Sequence, residues 1–277
     1  MTIEGFAPAK VNLTLHVTRQ RDDGYHLLDS LVVFADVGDR LWLDEGEVMR
    51  MQITGPFANG VPTDERNLVW RAAELAGIKG HITLEKNLPH GAGLGGGSAD
   101  AAALLRSQFG HLVKDGIGLA GALSLGADVP VCMSAAPQRM RGIGDELSMI
   151  WPVPQCNIVL ANPGVAVPTG AVFDGLETKE NAAMGAFDGC EDLADLIVWL
   201  RDQRNDLEAP ARAVAPTIGR VLEELGDAML ARMSGSGSTC FGIYPDRIKA
   251  EAAAARIKRA YPDWWIVAAQ TVGHSPN

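Results

Sequence analysis

An α+β fold in two parts is the expectation for this chain of 277 residues, and three observations carry it. Segments in which apolar and polar residues alternate fill much of the first third, the period of a strand with one face buried. Segments with helical spacing are interspersed among them and recur through the last third. The stretch "WPVPQCNIVLANPG" is rich in proline and lies near mid-chain, so the chain is read as two domains, 1–152 and 153–277. Strands and helices do not alternate one for one, which argues against a single regular parallel sheet.

The elements follow in order. Val11, Leu13, Leu15 and Val17 alternate with Lys10, Asn12, Thr14 and His16, a half-buried strand with Lys10 and Asn12 together on its polar face. "RDDGYH" reads as a turn and "LLDSLVVFADVGD" as an apolar segment, followed by strands at "RLWLD" and "VMRMQITG". "DERNLVWRAAELAG" reads as a helix with Asp64 as its cap and Gly77 as its stop. "HITLEKNLP" is a short strand that runs into a glycine-rich loop, and a helix follows from Ser98 to Phe109. "LAGALSLGADVPVCMS" reads as a helix, a break at Gly126 and a turn around Asp128 and Pro130. In the second half, helices are expected over 188–202, 209–226 and 247–260, and "ARMSGSGSTCFGIYP" is a second glycine-rich loop joining two strands.

Composition narrows the function classes. Hydrophobic residues make up 47% of the chain and the formal net charge is −10. That supports a sizeable core and argues against a nucleic-acid partner, which needs a basic face. A single pocket can still differ from the whole surface and take a phosphate. Cys132, Cys156, Cys190 and Cys240 are widely separated with no CxxC pair, the pattern of a reduced, cytoplasmic protein rather than a metal cluster. The first residues lack the basic and apolar regions of a signal peptide, and no apolar run reaches about 18 residues, so no membrane association is expected. His16, His81, His90, His111 and His274 lack metal-ligand spacing and receive no role.

The glycine loop, "LPHGAGLGGGSADAAALL", places flexible residues directly before strong helix formers. Such a junction offers unpaired N–H groups and the positive end of a helix dipole to a phosphate. A Walker loop would need a Lys-Ser or Lys-Thr pair after the glycines, and none is present. The dinucleotide fingerprint G-x-G-x-x-G matches at Gly91, Gly93 and Gly96, but Asp115 precedes a helix instead of ending a second strand. The longer pattern, Pro89, Gly93, Leu94, Gly95, Gly96, Gly97, Ser98 and Ala99, resembles the phosphate loop of the GHMP small-molecule kinases. "APAKVNLTL" and "GSGSTCFGIY" resemble that family's first and third motifs.

"AKVNLTLHVTRQRDDGYHLLDSL", "LGADVP", "NPGVAVPTGAVF" and "RNDLEAPA" extend the likeness from Ala7 to about Gly242. They resemble the branch of the family whose substrate is a cytidine diphosphate-linked methylerythritol. The resemblance implies a two-domain GHMP kinase fold: an N-terminal part like domain 2 of ribosomal protein S5, carrying the phosphate loop, and a ferredoxin-like C-terminal part. It implies an ATP-dependent kinase, with Mg2+, that phosphorylates the 2-hydroxyl of that small molecule in non-mevalonate isoprenoid synthesis. A kinase for another alcohol, such as homoserine or mevalonate, and an inactive binding protein on the same fold remain the alternatives. The sequence assigns neither an oligomeric state nor a metal ligand.

The resemblance also implies roles. Asp128 accepts the proton of the substrate hydroxyl and Lys10 lies beside it. That makes chemical sense: an alcohol is a poor nucleophile without a base, and an ammonium keeps the base ionised. Alone, Asp128 reads equally as a turn or cap residue, and Lys10 as a solvated lysine. Tyr25 and Phe173 sandwich the cytosine and His26 bonds its edge, with Asn12, Ile143 and Thr169 also at the substrate. Asn67, Leu68 and Lys86 resemble adenine-pocket positions. Ser98 caps the helix and meets a phosphate or magnesium, and Asp100 in its first turn suits the dipole.

Overall fold

Segments with Val, Ile and Leu at every second position extend into strands, and alanine-rich stretches coil into helices, in the computed structural model of this chain, which describes residues 2–109 and 117–272. Asp115, His111 and His274 lie outside the described residues. In chain order the strands are β1 (Thr2–Asn12), β2 (His16–Gln20), β3 (His26–Glu45), β4 (Arg50–Thr54), β5 (Gly80–Glu85), β6 (Gln138–Gly142), β7 (Glu146–Met149), β8 (Asn157–Asn162), β9 (Leu230–Met233), β10 (Cys240–Tyr244) and β11 (Trp265–Gln270). The helices are α1 (Leu68–Leu75), α2 (Gly96–Phe109), α3 (Gly118–Leu125), α4 (Val129–Ser134), α5 (Thr169–Asp174), α6 (Leu193–Arg201), α7 (Glu208–Val214), α8 (Thr217–Glu224) and α9 (Arg247–Ala260).

The chain forms two compact units. The first comprises Met1–Lys10, Val37–His90 and Gly95–Ala135, and the second Val11–Asp36, Gly91–Leu94 and Ala136–Asn277. In the first, β5 lies between β4, to which it is parallel, and the second half of β3, to which it is antiparallel. The register places Leu41 opposite Leu84 and Leu43 opposite Ile82, all four buried. Helix α2 packs on α1 and α4, and its alanines bring those helices close. A Cβ at Gly38 would lie 2.1 Å from the Ala7 carbonyl, so β1 and β3 approach as closely as they do only with glycine there.

In the second unit, the first half of β3 pairs with β2 and β6, and β6 with β7. A separate antiparallel sheet has the order β11-β8-β10-β9. That is strand order 4-1-3-2, the ferredoxin-like β-α-β-β-α-β arrangement. Helices α8 and α9 pack on it, and Val159, Val221, Met233, Cys240 and Ile257 belong to its buried core.

Several expectations are corrected. The strand expected from Lys10 to His16 is two, β1 and β2, and its polar face is not solvated: Lys10, Asn12, Thr14 and His16 are all buried. "LLDSLVVFADVGD" and "RLWLD" form one strand, β3. Helix α1 is capped by Asn67, whose Oδ1 accepts the Val69 N–H at 2.9 Å, and not by Asp64, which pairs with Arg66. Helix α2 starts at Gly96, so Ser98 lies within it and does not cap it. The turn at Asp128 leads directly into α4. The helix expected over 188–202 begins only at Leu193. The one expected over 209–226 is two, because Pro216 has no N–H to continue α7. All four cysteines are free thiols, and among the described residues no helix is long and apolar enough to cross a membrane.

Residues 175–192 carry no regular structure and are held by side chains. Asn181 Nδ2 donates to the Val17 carbonyl at 2.9 Å, and Asp29 Oδ2 accepts the Met184 N–H at 3.0 Å. Buried His16 accepts the Arg204 N–H at Nε2 (3.3 Å), so its proton is on Nδ1, 3.2 Å from the Ala182 carbonyl. Burial, and then Arg204, lower its pKa from 6.5. The unfolded chain therefore binds the proton more readily, and the stability His16 contributes is present above about pH 6.5 and lost below it. Urea unfolding should show stability falling between pH 7.5 and 5.5, and falling less in His16→Gln, whose amide can replace both bonds. Equal slopes in the two proteins would remove His16 from this role.

Candidate active site

The side chains of Lys10, at the end of β1, and Asp128, before α4, meet in the first unit. Nζ of Lys10 lies 3.0 Å from Asp128 Oδ2. Lys10 is buried while the Asp128 side chain remains 38% exposed, so the ammonium is enclosed and the carboxylate has a free face. Asp128 occupies the N-cap position of α4 but makes no capping hydrogen bond, and Lys10 is not solvated. Neither bland alternative for these residues describes what they do here. The arrangement suits a carboxylate that takes a proton while a fixed cation balances its charge. Cys132, close by, is no nucleophile: burial, and then Asp128, push its pKa up to about 12.

The phosphate loop gains its order from several places. Gly95 has φ +64°, which an L side chain rarely adopts, and its carbonyl accepts the Ala99 N–H at 2.8 Å to open α2. A Cβ there would also press on the Lys10 side chain, 3.1 Å away. Gly96 and Gly97 follow as the first residues of α2; Gly97 is exposed, and a Cβ on it would meet nothing closer than 3.7 Å, at Leu68 Cδ1. Ser98 makes no side-chain hydrogen bond among the described residues. Bare backbone at the start of a 14-residue helix fits an anion. Earlier in the loop, Gly91–Leu94 belong to the second unit. There, Ser234 Oγ donates to the Gly93 carbonyl at 2.9 Å and Thr239 N–H to the Ala92 carbonyl at 3.1 Å. The second glycine-rich loop, between β9 and β10, therefore serves to bind this segment. Leu94 is buried, and Pro89 lies between the loop and β5.

Lys86 is committed to a buried ion cluster. Its Nζ contacts Asp39 Oδ2 and lies 2.6 Å from Asp100 Oδ2, with all three side chains inaccessible to water. Asp39 Oδ1 also accepts the N–H groups of Asn87 (2.5 Å) and Leu88 (2.8 Å), where the loop begins. Burial raises the Asp100 pKa; Lys86 pulls it down in part and Asp39 pushes it up. Burial alone would lower the Lys86 pKa, but the two carboxylates outweigh it. Asp100 is therefore not a solvated first-turn acid complementing the dipole. Asn67 is likewise spent on its cap and on the Pro62 carbonyl. The sequence carries one signal for this cluster: Asp39, Leu41 and Leu43 share a strand face, and all are buried.

The second unit holds the other candidates. His26 stacks on Phe173, with ring centroids 4.7 Å apart and an interplanar angle of 24°. Its Nε2 is buried with no partner among the described residues. Burial, and then Lys179, lower its pKa from 6.5 against Asp174, which raises it, and so favour the neutral ring. One face of Phe173 is thus covered by His26, while Tyr25 stands 61% exposed beside them in sequence. Asn12 donates from Nδ2 to Ser30 Oγ at 2.8 Å and leaves Oδ1 buried and unpaired. Thr169 Oγ1 lies 3.0 Å from Ser236 Oγ. Ile143 sits in the β6–β7 turn, its N–H donating to Asp145.

Known proteins resemble this chain over most of its length. Residues 67–135 match the GHMP kinases N terminal domain and residues 186–263 match GHMP kinases C terminal. A 4-diphosphocytidyl-2-C-methyl-D-erythritol kinase from Dinoroseobacter shibae is 53% identical over 95% of this chain and 93% of its own length. One from a Jannaschia species is 51% identical over 96% of each. A crystal structure of 4-(cytidine 5'-diphospho)-2C-methyl-D-erythritol kinase superposes with a TM-score of 0.73 at 33% identity, covering 98% of this chain and all of that one. A homoserine kinase from Cytophaga hutchinsonii shares the fold, with a TM-score of 0.68 at 20% identity over 98% of this chain and 95% of its own.

The ion cluster can be tested by stability. Lys86→Met leaves two carboxylates facing each other without water and should cost about 3–5 kcal/mol. Asp100→Asn keeps the Lys86–Asp39 pair and should cost about 1 kcal/mol. Urea unfolding of both variants distinguishes them; equal losses would mean that the cluster's charge balance is irrelevant.

Proposed function

The chain belongs to the GHMP kinases, and within them to the 4-diphosphocytidyl-2-C-methyl-D-erythritol kinase family; from that premise we propose that it transfers the γ-phosphoryl group of ATP to the 2-hydroxyl of 4-diphosphocytidyl-2-C-methyl-D-erythritol. This is a step in isoprenoid precursor synthesis, which we place in the cytoplasm. The observation that carries the reading is the Lys10–Asp128 pair, an enclosed ammonium holding a half-open carboxylate. A mere binding protein has no need of it.

In this reading the 2-oxygen forms a bond to the γ-phosphorus while the bond from that phosphorus to the β,γ-bridging oxygen breaks. Asp128 takes the hydroxyl proton and ADP carries away the negative charge. Lys10 keeps Asp128 oriented and offsets charge as it develops. The start of α2, bare of side chains from Gly95 to Gly97, holds the ATP phosphates. Leu68 flanks that segment, while Lys86 and Asn67 shape the nucleotide site through the loop and the α1 cap, not by offering free polar groups. Mg2+, when bound, would offset phosphate charge in such a transfer. Among the described residues no three His, Cys, Asp or Glu side chains cluster to hold a metal. Ser98, whose hydroxyl makes no hydrogen bond among the described residues, is the residue that would hold the ion. Tyr25, His26 and Phe173 favour the cytidyl substrate over homoserine or mevalonate, which have no base to stack. Asn12, Thr169 and Ile143 are assigned to the rest of that substrate. The two family models fall on either side of residue 152, in keeping with a division into 1–152 and 153–277, but residues 11–36, 91–94 and 136–152 fold with the second unit.

Asp128→Asn is nearly isosteric and cannot take the proton. Turnover should drop by about two to four orders of magnitude while titrations with ATP and with the cytidyl substrate stay close to the parent. Turnover within a few-fold of the parent, in a folded protein, sinks the role of Asp128. Tyr25 is too exposed to matter for folding, so Tyr25→Ala isolates base recognition. It should cost the cytidyl substrate about 1–3 kcal/mol of binding and leave ATP unchanged. Parent-like affinity for the cytidyl substrate would remove Tyr25 from the site.

A further inference from the structure

The aromatic pair of the second unit has a cation beside it that the reaction described so far does not use. Gln20 and His26 are directly opposed in the β2–β3 register, so their side chains are neighbours on one face of that ribbon. Lys179 Nζ donates to Gln20 Oε1 at 3.0 Å. Lys179 thus stands over the residue that flanks His26, and its charge reaches the imidazole: after burial, it is the influence that lowers the His26 pKa, against Asp174, which raises it. Among the described residues Lys179 forms no ion pair. A half-buried ammonium held on a neutral amide has no direct carboxylate partner there; Asp174, the carboxylate that also acts on His26, forms no ion pair with it.

Residues 181–186 of this segment are held without the bond. Asn181, Met184 and Ala182 are fastened independently, by Val17, by Asp29 and by His16 with Arg204. Trp199 Nε1 adds a further tie, to the Ala186 carbonyl at 3.2 Å. Arg204 and Arg139 also donate to this segment, but they are paired with Asp206 and Asp29; Lys179 is the cation there without an ion pair among the described residues, and its Nζ is held by Gln20. An ammonium in such a position is a point charge suited to phosphate oxygens.

We propose that Lys179, steadied by Gln20, is a specificity-determining residue that receives the diphosphate of a cytidine diphosphate-linked substrate stacked at Tyr25, His26 and Phe173. The assignment rests on the base-recognition reading above and adds to it a distinct contact with the anionic part of the ligand. It makes the site a reader of nucleoside diphosphates and not of bare nucleosides.

The test is calorimetric titration of the full chain with cytidine and with CDP, with excess ADP filling the phosphate loop, for the parent, Lys179→Met and Lys179→Arg. Parent binding that is tighter for CDP than for cytidine is expected. Lys179→Met should weaken CDP by about 10- to 100-fold, the range for a hydrogen bond to a charged group, and leave cytidine unchanged. Lys179→Arg should restore CDP to within a few-fold of the parent. Raising the salt concentration should weaken CDP binding more in the parent than in Lys179→Met. Unchanged CDP affinity in Lys179→Met overturns the proposal, and an equal loss for cytidine and CDP makes Lys179 a structural tie instead. If the parent binds neither cytidine nor CDP, base recognition itself fails and this assignment fails with it. Melting temperatures of the variants within a degree or two of the parent exclude misfolding as the cause.

Discussion

One ammonium group without access to water sets the terms for the nucleotide side of this protein. Lys86 lies between Asp39 of β3 and Asp100 of α2. Burying three charges is costly unless each is matched. Here the ammonium meets both carboxylates only with β3, β5 and α2 in their observed places. Asp39 extends the constraint to the main chain through the amides of Asn87 and Leu88. A glycine-rich segment loses more backbone entropy on ordering than any other, and it cannot fix itself. Its rigidity comes from this charged anchor at the loop's start and from the opening turn of α2 at its end.

The same constraint reaches the transfer pair within the first unit. Asp100 ties α2 to Lys86; α2 opens from Gly95; and Gly95 lies against the stem of Lys10, which holds Asp128. Each link is a contact between named atoms, and none passes through a mobile surface side chain. The consequence is geometric. The backbone that would hold a phosphate and the carboxylate that would accept a proton are held by one packed set of residues. In-line transfer gains most of its rate from such positioning, because the protein has little covalent chemistry to perform.

What was legible in the sequence was local pattern. The glycine loop and its helix, the second glycine loop between two strands, and α9 could be placed because their signals lie within a dozen residues. Lys10 and Asp128 could be named because their motifs resemble those of a family. Spacing alone could not separate them from a solvated lysine and a turn aspartate. What was not legible was pairing at a distance. Lys86 and Asp39 are 47 residues apart, and alternation predicts a polar strand face without saying that other elements will cover it. Lys10, Asn12, Thr14 and His16 were on the expected face, but that face is interior and its polar groups are paired there. The cap of α1 moved from Asp64 to Asn67 because Arg66 competes for Asp64. Pro216 divides a helix whose apolar spacing runs on through it.

The substrate side obeys the opposite electrostatic logic. In the ion cluster one ammonium serves two carboxylates, and Asp100, whose Oδ1 has no partner among the described residues, has its pKa raised. At His26 an imidazole with a lowered pKa has its Nε2 buried without a partner, and the nearby Lys179 forms no ion pair among the described residues, although Asp174 also acts on the ring. Both are unfavourable for a folded chain alone, since a desolvated polar atom costs free energy until something bonds to it. A neutral ring can offer a hydrogen bond to an uncharged base without demanding a counter-ion, and the lysine that helps keep it neutral can itself meet an anion. The two features are costly separately but consistent together if the ligand has an uncharged flat end and a charged one. An alcohol such as homoserine or mevalonate has no flat base to satisfy the first, and a bare nucleoside has no anion to satisfy the second. The pattern of unmet groups in this unit therefore describes a nucleoside diphosphate more closely than either.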